Sequence, residues 1–281
     1  MTDASDHPKS SGRRRLFKRR AARLEQDAEL AVDIDLDFSE CVEGIRTALA
    51  GFVSFARKAG LDAPVPTAPE WNVRQLLAHQ GMVHRWAAAK VNGLEVDPDA
   101  LEAEGLEAPD PVLWLRDGGL RLIKTLQDAP EDLEAPVFLK NAPDPRHFWA
   151  RRQCHETTIH SVDAQSAALG RIPHAVDTEV TREVSLDGID ELLRGFHTRK
   201  RSGLRSDSPI GLAIRPTDVD RSWHVEVSSE PAVVLQDSRA HADLVIEGPA
   251  EALYLALWNR TDEITGKGYD FWRRTAKVTW S

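Results

Sequence analysis

The sequence is poor in sulfur. Two cysteines, Cys41 and Cys154, in 281 residues exclude a disulfide framework and a cysteine-rich zinc site. Any metal would have to be held mostly by histidine and carboxylate. Long apolar runs are also missing. No stretch approaches the roughly 20 residues needed to cross a bilayer, and the N-terminus lacks the apolar core of a secretory signal. The chain is therefore expected to be cytoplasmic, with no membrane partner. No internal repeat is evident.

Positive charge is scarce outside one place. The net charge is -9, and residues 1–24 hold 8 Lys/Arg against 2 Asp/Glu, leaving 28 basic and 43 acidic residues for the rest. The run "RRRLFKRR", Arg13 to Arg20, invites a nucleic-acid or membrane reading. The acidic body would repel phosphates, and the first ~35 residues carry few apolar side chains. Residues 1–35 are thus expected to be a disordered basic tail, and nucleic acid is not expected as a partner.

What remains is ordinary globular material, 41% hydrophobic and 29% charged, enough for one large domain or two ordinary ones. In "FSECVEGIRTALAGFVSFARKAG", Val42, Ile45, Leu49, Phe52 and Ala56 recur at helical spacing and Gly60 is a stop. In "APEWNVRQLLAHQGMVHRWAAAKVNG", Asn72 and Gln75 form a capping-box variant. Leu76, Leu77, Val83 and Trp86 supply the apolar side. Asp110-Pro111 and Asp144-Pro145 open two more helices. Gly118 and Gly119 weaken the first of these, and Gly170 closes the second. The acidic "LEVDPDALEAEGLEAPD" from the second helix to Asp110, with seven acids and no base, reads as an exposed connection.

Beyond Pro173 the texture changes. "DGIDELLRGFHTR" reads as a short helix. "SPIGLAIRP", "RSWHVEVSS", "PAVVLQD" and "ADLVIEG" read as strands, "PAEALYLALWNR" as a helix, and "DFWRRTAKVTW" as a helical turn and a last strand. The expected architecture is a four-helix bundle over residues 36–175 followed by a smaller α+β domain over 176–281.

The chemistry concentrates in "RRQCHETTIHSVDA". Glu156 and His160 are four residues apart and share a helical face, whereas His155 is rotated about 100° from Glu156. The stretch is therefore not the H-E-x-x-H zinc-protease signature. A third ligand must come from another helix. His79 falls in the apolar stripe of the second helix and is expected to point into the bundle, with His84 further round, toward Arg85. Two histidines and a glutamate make a catalytic zinc set with an open position. Spacing alone equally allows a hydrogen-bonded surface pair at Glu156 and His160, an Arg152–Glu156 surface salt bridge of ~0.3–0.5 kcal/mol, and a satisfied core histidine at position 79. Asp163 is placed either to orient a ligating imidazole or to pair with an arginine. Cys154 lies about 200° round from Glu156 and is read as structural.

Together, "APEWNVRQLLAHQGMVHRWA" and "RRQCHETTIHSVDA" resemble the mycothiol-dependent maleylpyruvate isomerase family. The resemblance implies a DinB-like N-terminal bundle with a smaller α+β domain behind it. It also implies a divalent metal, usually zinc, on His79, Glu156 and His160. A functional arginine in the C-terminal domain is implied as well. Arg260 of "LALWNR" is the matching position, although the family commonly has Gly-Arg where this chain has Asn259-Arg260. The implied activity uses a small-molecule thiol of the mycothiol type, which brings its own sulfur, to isomerise or thiolate a small electrophile. A hydrolase using zinc-bound water and a non-catalytic metal-binding regulatory protein are the alternatives.

Overall fold

The computed structural model describes residues 36–237 and 240–278. The basic run at Arg13–Arg20 lies outside them. The described residues belong to one compact unit that begins at Leu36.

Five helices come first. They are α1 (Phe38–Ala59), α2 (Val73–Val91), α3 (Pro98–Glu107), α4 (Pro111–Asp128) and α5 (Pro145–Leu169). Their starts are written in local chemistry. Asp37 and Glu40 close a capping box on α1, and Asn72 and Gln75 close one on α2. Asp110 and Asp144 each accept a backbone N–H from the residue three positions on, satisfying donors that the helix start leaves orphaned. Gly170 ends α5 in the left-handed region, φ 68°, where glycine has no Cβ penalty. The acidic connection is not wholly irregular. Asp97 caps it, Pro98 opens it, and ten residues form α3, adding a short fifth helix against α2 to the expected four.

Helix α5 is the axis of the molecule. Every residue from Phe148 to Ala167 is buried, although most of those side chains are polar. It packs on α1 and α2, and Asp187, Glu191 and Arg260 of the second part of the chain bond to its polar side chains. Gly119 of α4 lets that helix approach both α1 and α2 closely. A Cβ there would sit 2.6 Å from Leu49 Cδ2 and 3.2 Å from His84 Nδ1.

After a single 3-10 turn, Ala175–Asp177, comes α6 (Arg182–Asp190), which widens into a π-helical turn over Glu191–Phe196. Four strands follow, β1 (Ile210–Pro216), β2 (Trp223–Val227), β3 (Val233–Gln236) and β4 (Leu244–Gly248), then α7 (Ala250–Leu257) and α8 (Lys267–Thr275). The sheet order is β3-β2-β1-β4. β1 pairs antiparallel with β2 and parallel with β4, and β2 pairs antiparallel with β3. Leu212, Ile214, Trp223, Val225 and Ile246 are buried on it, and Trp223 Nε1 and Gln236 Nε2 both donate to Asp190 Oδ1, at 3.0 and 2.8 Å. The expected last strand is absent among the described residues. α8 continues to Thr275, and residues 279–281 lie outside the description. No helix among the described residues is long and apolar enough to cross a membrane.

Candidate metal centre

His79 of α2 and Glu156 and His160 of α5 converge. One ligand atom from each lies within 4.8 Å of the others, and His160 Nε2 is 3.4 Å from Glu156 Oε1. Glu156 and His160 are buried, while the His79 side chain keeps 24% exposure. Trp71, just ahead of the α2 cap, closes over the group with its ring 4.8 Å from that of His79 and 5.9 Å from that of His160.

The depth of the two α2 histidines differs from expectation. His84 is wholly buried, with Nε2 3.0 Å from Thr157 Oγ1 and 2.8 Å from Gln80 Nε2. Burial, then Arg85, pushes its pKa down to about 3. His79 is the shallower of the pair. The close approach of α4 buries the face that the apolar stripe of α2 alone leaves ambiguous. His155 takes no part in the cluster. It is buried on the other side of α5, with Nε2 2.5 Å from Asp187 Oδ1.

Each α5 residue of the cluster is braced. Asp163 can only accept hydrogen bonds when ionised, so the 2.9 Å contact from His160 Nδ1 to its Oδ2 places the ring proton on Nδ1. The Asp163 carboxylate is filled by three further donations: Thr67 Oγ1 at 2.6 Å, Arg260 Nε at 2.8 Å and Arg260 Nη2 at 3.0 Å. Asp163 therefore does both things the sequence allowed, orienting an imidazole and pairing with an arginine. Burial would raise its pKa, but Arg260 and His160 hold it well below the usual carboxylate range.

Glu156 is braced in the same way. Arg152 Nη2 donates to its Oε2 at 2.5 Å, and Arg152 Nη1 donates to Glu191. This is a buried network, so the exposed-pair energy expected for Arg152–Glu156 does not apply to it. Burial opposes ionisation of Glu156, but Arg152 and His160 outweigh it and keep the pKa depressed.

The lone-pair arithmetic bears on whether a cation fits. With Nδ1–H committed to Asp163, Nε2 of a neutral His160 aims its lone pair at a carboxylate oxygen 3.4 Å away, which repels unless positive charge lies between. In the protein alone that charge is a proton. Burial lowers the His160 pKa, but the bonds to Asp163 and Glu156 more than reverse this and carry it up to about 9. Burial and His160 push His79 down to about 4, which leaves its ring neutral and ready to donate an electron pair. Two imidazoles and a carboxylate suit zinc, whose tetrahedral bonds of about 2.0–2.1 Å set neighbouring ligand atoms about 3.4 Å apart.

Arg260 reaches this site from the far part of the chain. Besides gripping Asp163 it donates from Nη1 to Trp258 O at 2.8 Å. Asn259 before it sits at φ 59°, a left-handed conformation that glycine adopts freely and that asparagine tolerates best among other residues. The backbone here is therefore one that glycine or asparagine can hold. Spacing in the sequence offered the Arg152–Glu156 pair only as a surface salt bridge, and did not disclose Thr67, Trp71 or Glu191. Of these only Trp71, next to a helix cap and ahead of His79 in the same quoted stretch, carried a local signal. A cavity of about 430 Å³ opens on the opposite side of α5, lined by Thr158, Ser161 and Val162 and by none of the three cluster residues.

Two family models match the chain. The mycothiol maleylpyruvate isomerase N-terminal domain covers residues 42–165 and the corresponding C-terminal domain covers 183–266. Two solved structures are similar, both at 14% identity and covering 82% of this chain and 92% of their own. They are crystal structures of the mycothiol-dependent maleylpyruvate isomerase and of a histidine-to-alanine mutant of it, with TM-scores of 0.55 and 0.52. At that identity the likeness speaks for the fold. No curated protein matches the sequence significantly.

Proposed function

Since the chain belongs to the mycothiol maleylpyruvate isomerase family, we propose that it is a metal-dependent enzyme that uses a mycothiol-type thiol on a small, conjugated electrophile, with isomerisation of maleylpyruvate as the reaction to test first. The observation that carries this reading is the convergence of His79, Glu156 and His160 within 4.8 Å, with both α5 side chains braced by a second layer of charge. These three residues would hold a divalent cation, zinc by the nature of the donors. When bound, zinc supplies a vacant position at which a thiol loses its proton near neutral pH.

The residues of the chain do the rest. Asp163 fixes the His160 tautomer so that Nε2 faces the site. Arg152 occupies one Glu156 oxygen and leaves the other to ligate. Trp71 covers the cluster and limits water there. A cosubstrate thiolate adds to the conjugated carbon–carbon double bond, which becomes single and rotates. Expulsion of the same thiolate restores the double bond in the other geometry, with no net redox change. No cysteine of the chain is needed. Cys154 is buried with its pKa pushed up to about 12, chiefly by desolvation, and Cys41 is buried with its pKa raised further.

The test is metal analysis of the purified full chain together with a thiol-dependence assay. One equivalent of zinc per chain, lost in His79→Ala and in Glu156→Ala, and isomerisation that stops without thiol, are the expected results. Turnover without thiol, or a wild-type protein that takes up no divalent metal, would overturn the reading.

A further inference from the structure

We propose that Glu191 is a positioning residue for the metal centre, holding the ligating carboxylate of Glu156 in place through Arg152. The proposal rests on the reading of His79, Glu156 and His160 as metal ligands.

The two oxygens of Glu156 have separate partners. Oε1 faces His160 Nε2 at 3.4 Å, inside the cluster, and Oε2 accepts from Arg152 Nη2 at 2.5 Å, outside it. A glutamate side chain has three rotatable bonds, so tethering one oxygen is what aims the other. The tether is only as fixed as the guanidinium that makes it. Arg152 is 2% exposed. Its Nη1 donates to Glu191, and its Cζ lies 5.2 Å from the Phe196 ring centroid and 6.0 Å from that of Trp258. A planar fork that serves one carboxylate with each amino group cannot turn without breaking one of the two bonds.

Glu191 comes from a distant part of the sequence, at the residue where α6 widens into its π turn. Such turns often mark functional positions in helices. The neighbouring arginine has other partners. Arg151 is engaged by Asp187 and Asp190, and neither of those carboxylates is bonded to Glu156. Two buried ion-pair systems thus lie side by side, and the bond from Arg152 to Glu156 ties the Arg152–Glu191 system to the cluster. Charge points the same way. Arg152 lies between two carboxylates, so its positive charge is shared and Glu156 keeps the electron density that a cation needs. Neutralising Glu191 would turn the whole charge of Arg152 on Glu156 and loosen the fork at once.

The test uses the full-length protein and compares wild type, Glu191→Gln and Asp187→Asn. Zinc affinity is measured by competition with a chromophoric chelator, and ligand geometry by the visible spectrum of the cobalt-substituted protein. Glu191→Gln should lose up to about 10-fold in zinc affinity, the low end of the ~10–100-fold cost of removing a direct outer partner of a metal ligand, because it acts one residue further out, and should change the cobalt bands. Asp187→Asn should lower the melting temperature while leaving zinc affinity within about two-fold. If Glu191→Gln does not fold, Arg152→Lys keeps the charge but removes the fork, and the same loss is expected of it. Equal affinity in wild type and Glu191→Gln, or an equal loss in Asp187→Asn, would overturn the positioning role while leaving the metal site standing. A wild-type protein that binds no zinc would instead overturn the site itself, and the positioning role with it.

Discussion

Metal binding at this centre should displace a proton, and the structure says which one. In the protein without a cation, His160 is the protonated group between Glu156 and Asp163, with a pKa of about 9. His79 has been pushed to about 4 and brings no proton to lose at neutral pH. At pH 7 His160 lies about two pH units below its pKa, so it is protonated in a ratio of about 100:1. Ligation needs the neutral ring, so each cation bound at pH 7 must release close to one proton from His160. The sign follows directly. Protons compete with the metal, so apparent affinity should rise about tenfold per pH unit from pH 7 to about 9 and level off above it. Calorimetric titration in buffers of different ionisation enthalpy counts the protons. Asp163→Asn removes one of the two carboxylates that raise the His160 pKa, so the pH at which affinity levels off should move down. A wild-type release near zero at pH 7 would show that the cation does not take the place of the His160 proton.

Four shorter predictions concern the surroundings. Arg260→Ala should weaken zinc binding about tenfold or more, because Asp163 loses two of its four donors and holds His160 less firmly; chelator competition reads it. Asn259→Gly should be neutral or stabilising in thermal melts, whereas Asn259→Ala should cost about 1 kcal/mol for a side chain forced to φ 59°. Gly44→Ala should destabilise by about 1–3 kcal/mol, since its Cβ would lie 2.4 Å from Cys154 Sγ. Chemical denaturation should show Cys154→Ala recovering part of that loss in the double variant. Both cysteines should resist thiol reagents in the native protein at pH 8 and react on unfolding, and Cys154→Ala should keep its thiol-dependent turnover within about two-fold.

How much of this was legible beforehand depended on how local the signal was. Helix starts were readable because a cap and its acceptor lie three residues apart, as at Asn72 with Gln75 and at Asp144-Pro145. The four strands were readable because turn residues bound each run. Helix α3 was hidden in its acidic stretch because it shows almost no apolar stripe, and Gly105 is its one buried residue. The depth of His84 was hidden for a different reason. Periodicity finds a face but not the neighbour that presses on it, and here that neighbour is α4, admitted by Gly119.

The site shows the same division. Glu156 and His160 could be paired from their spacing, periodicity offered His79 as a third ligand, and the resemblance selected the trio and added Arg260. The near halves of the braces were readable, Arg152 four residues before Glu156 and Asp163 three after His160; their far partners, Glu191, Arg260 and Thr67, were not, because they lie far away in sequence. Polarity around α5 ordinarily argues for an exposed helix. Here it means the opposite, since the second part of the chain supplies counter-charges to a helix buried from Phe148 to Ala167. A buried ion pair is weak evidence of stability, because desolvation offsets most of its attraction. The networks at Arg152 and Asp163 therefore make better sense as devices that aim ligands than as devices that hold the fold. That distinction is what separates the expected behaviour of Glu191→Gln from that of Asp187→Asn.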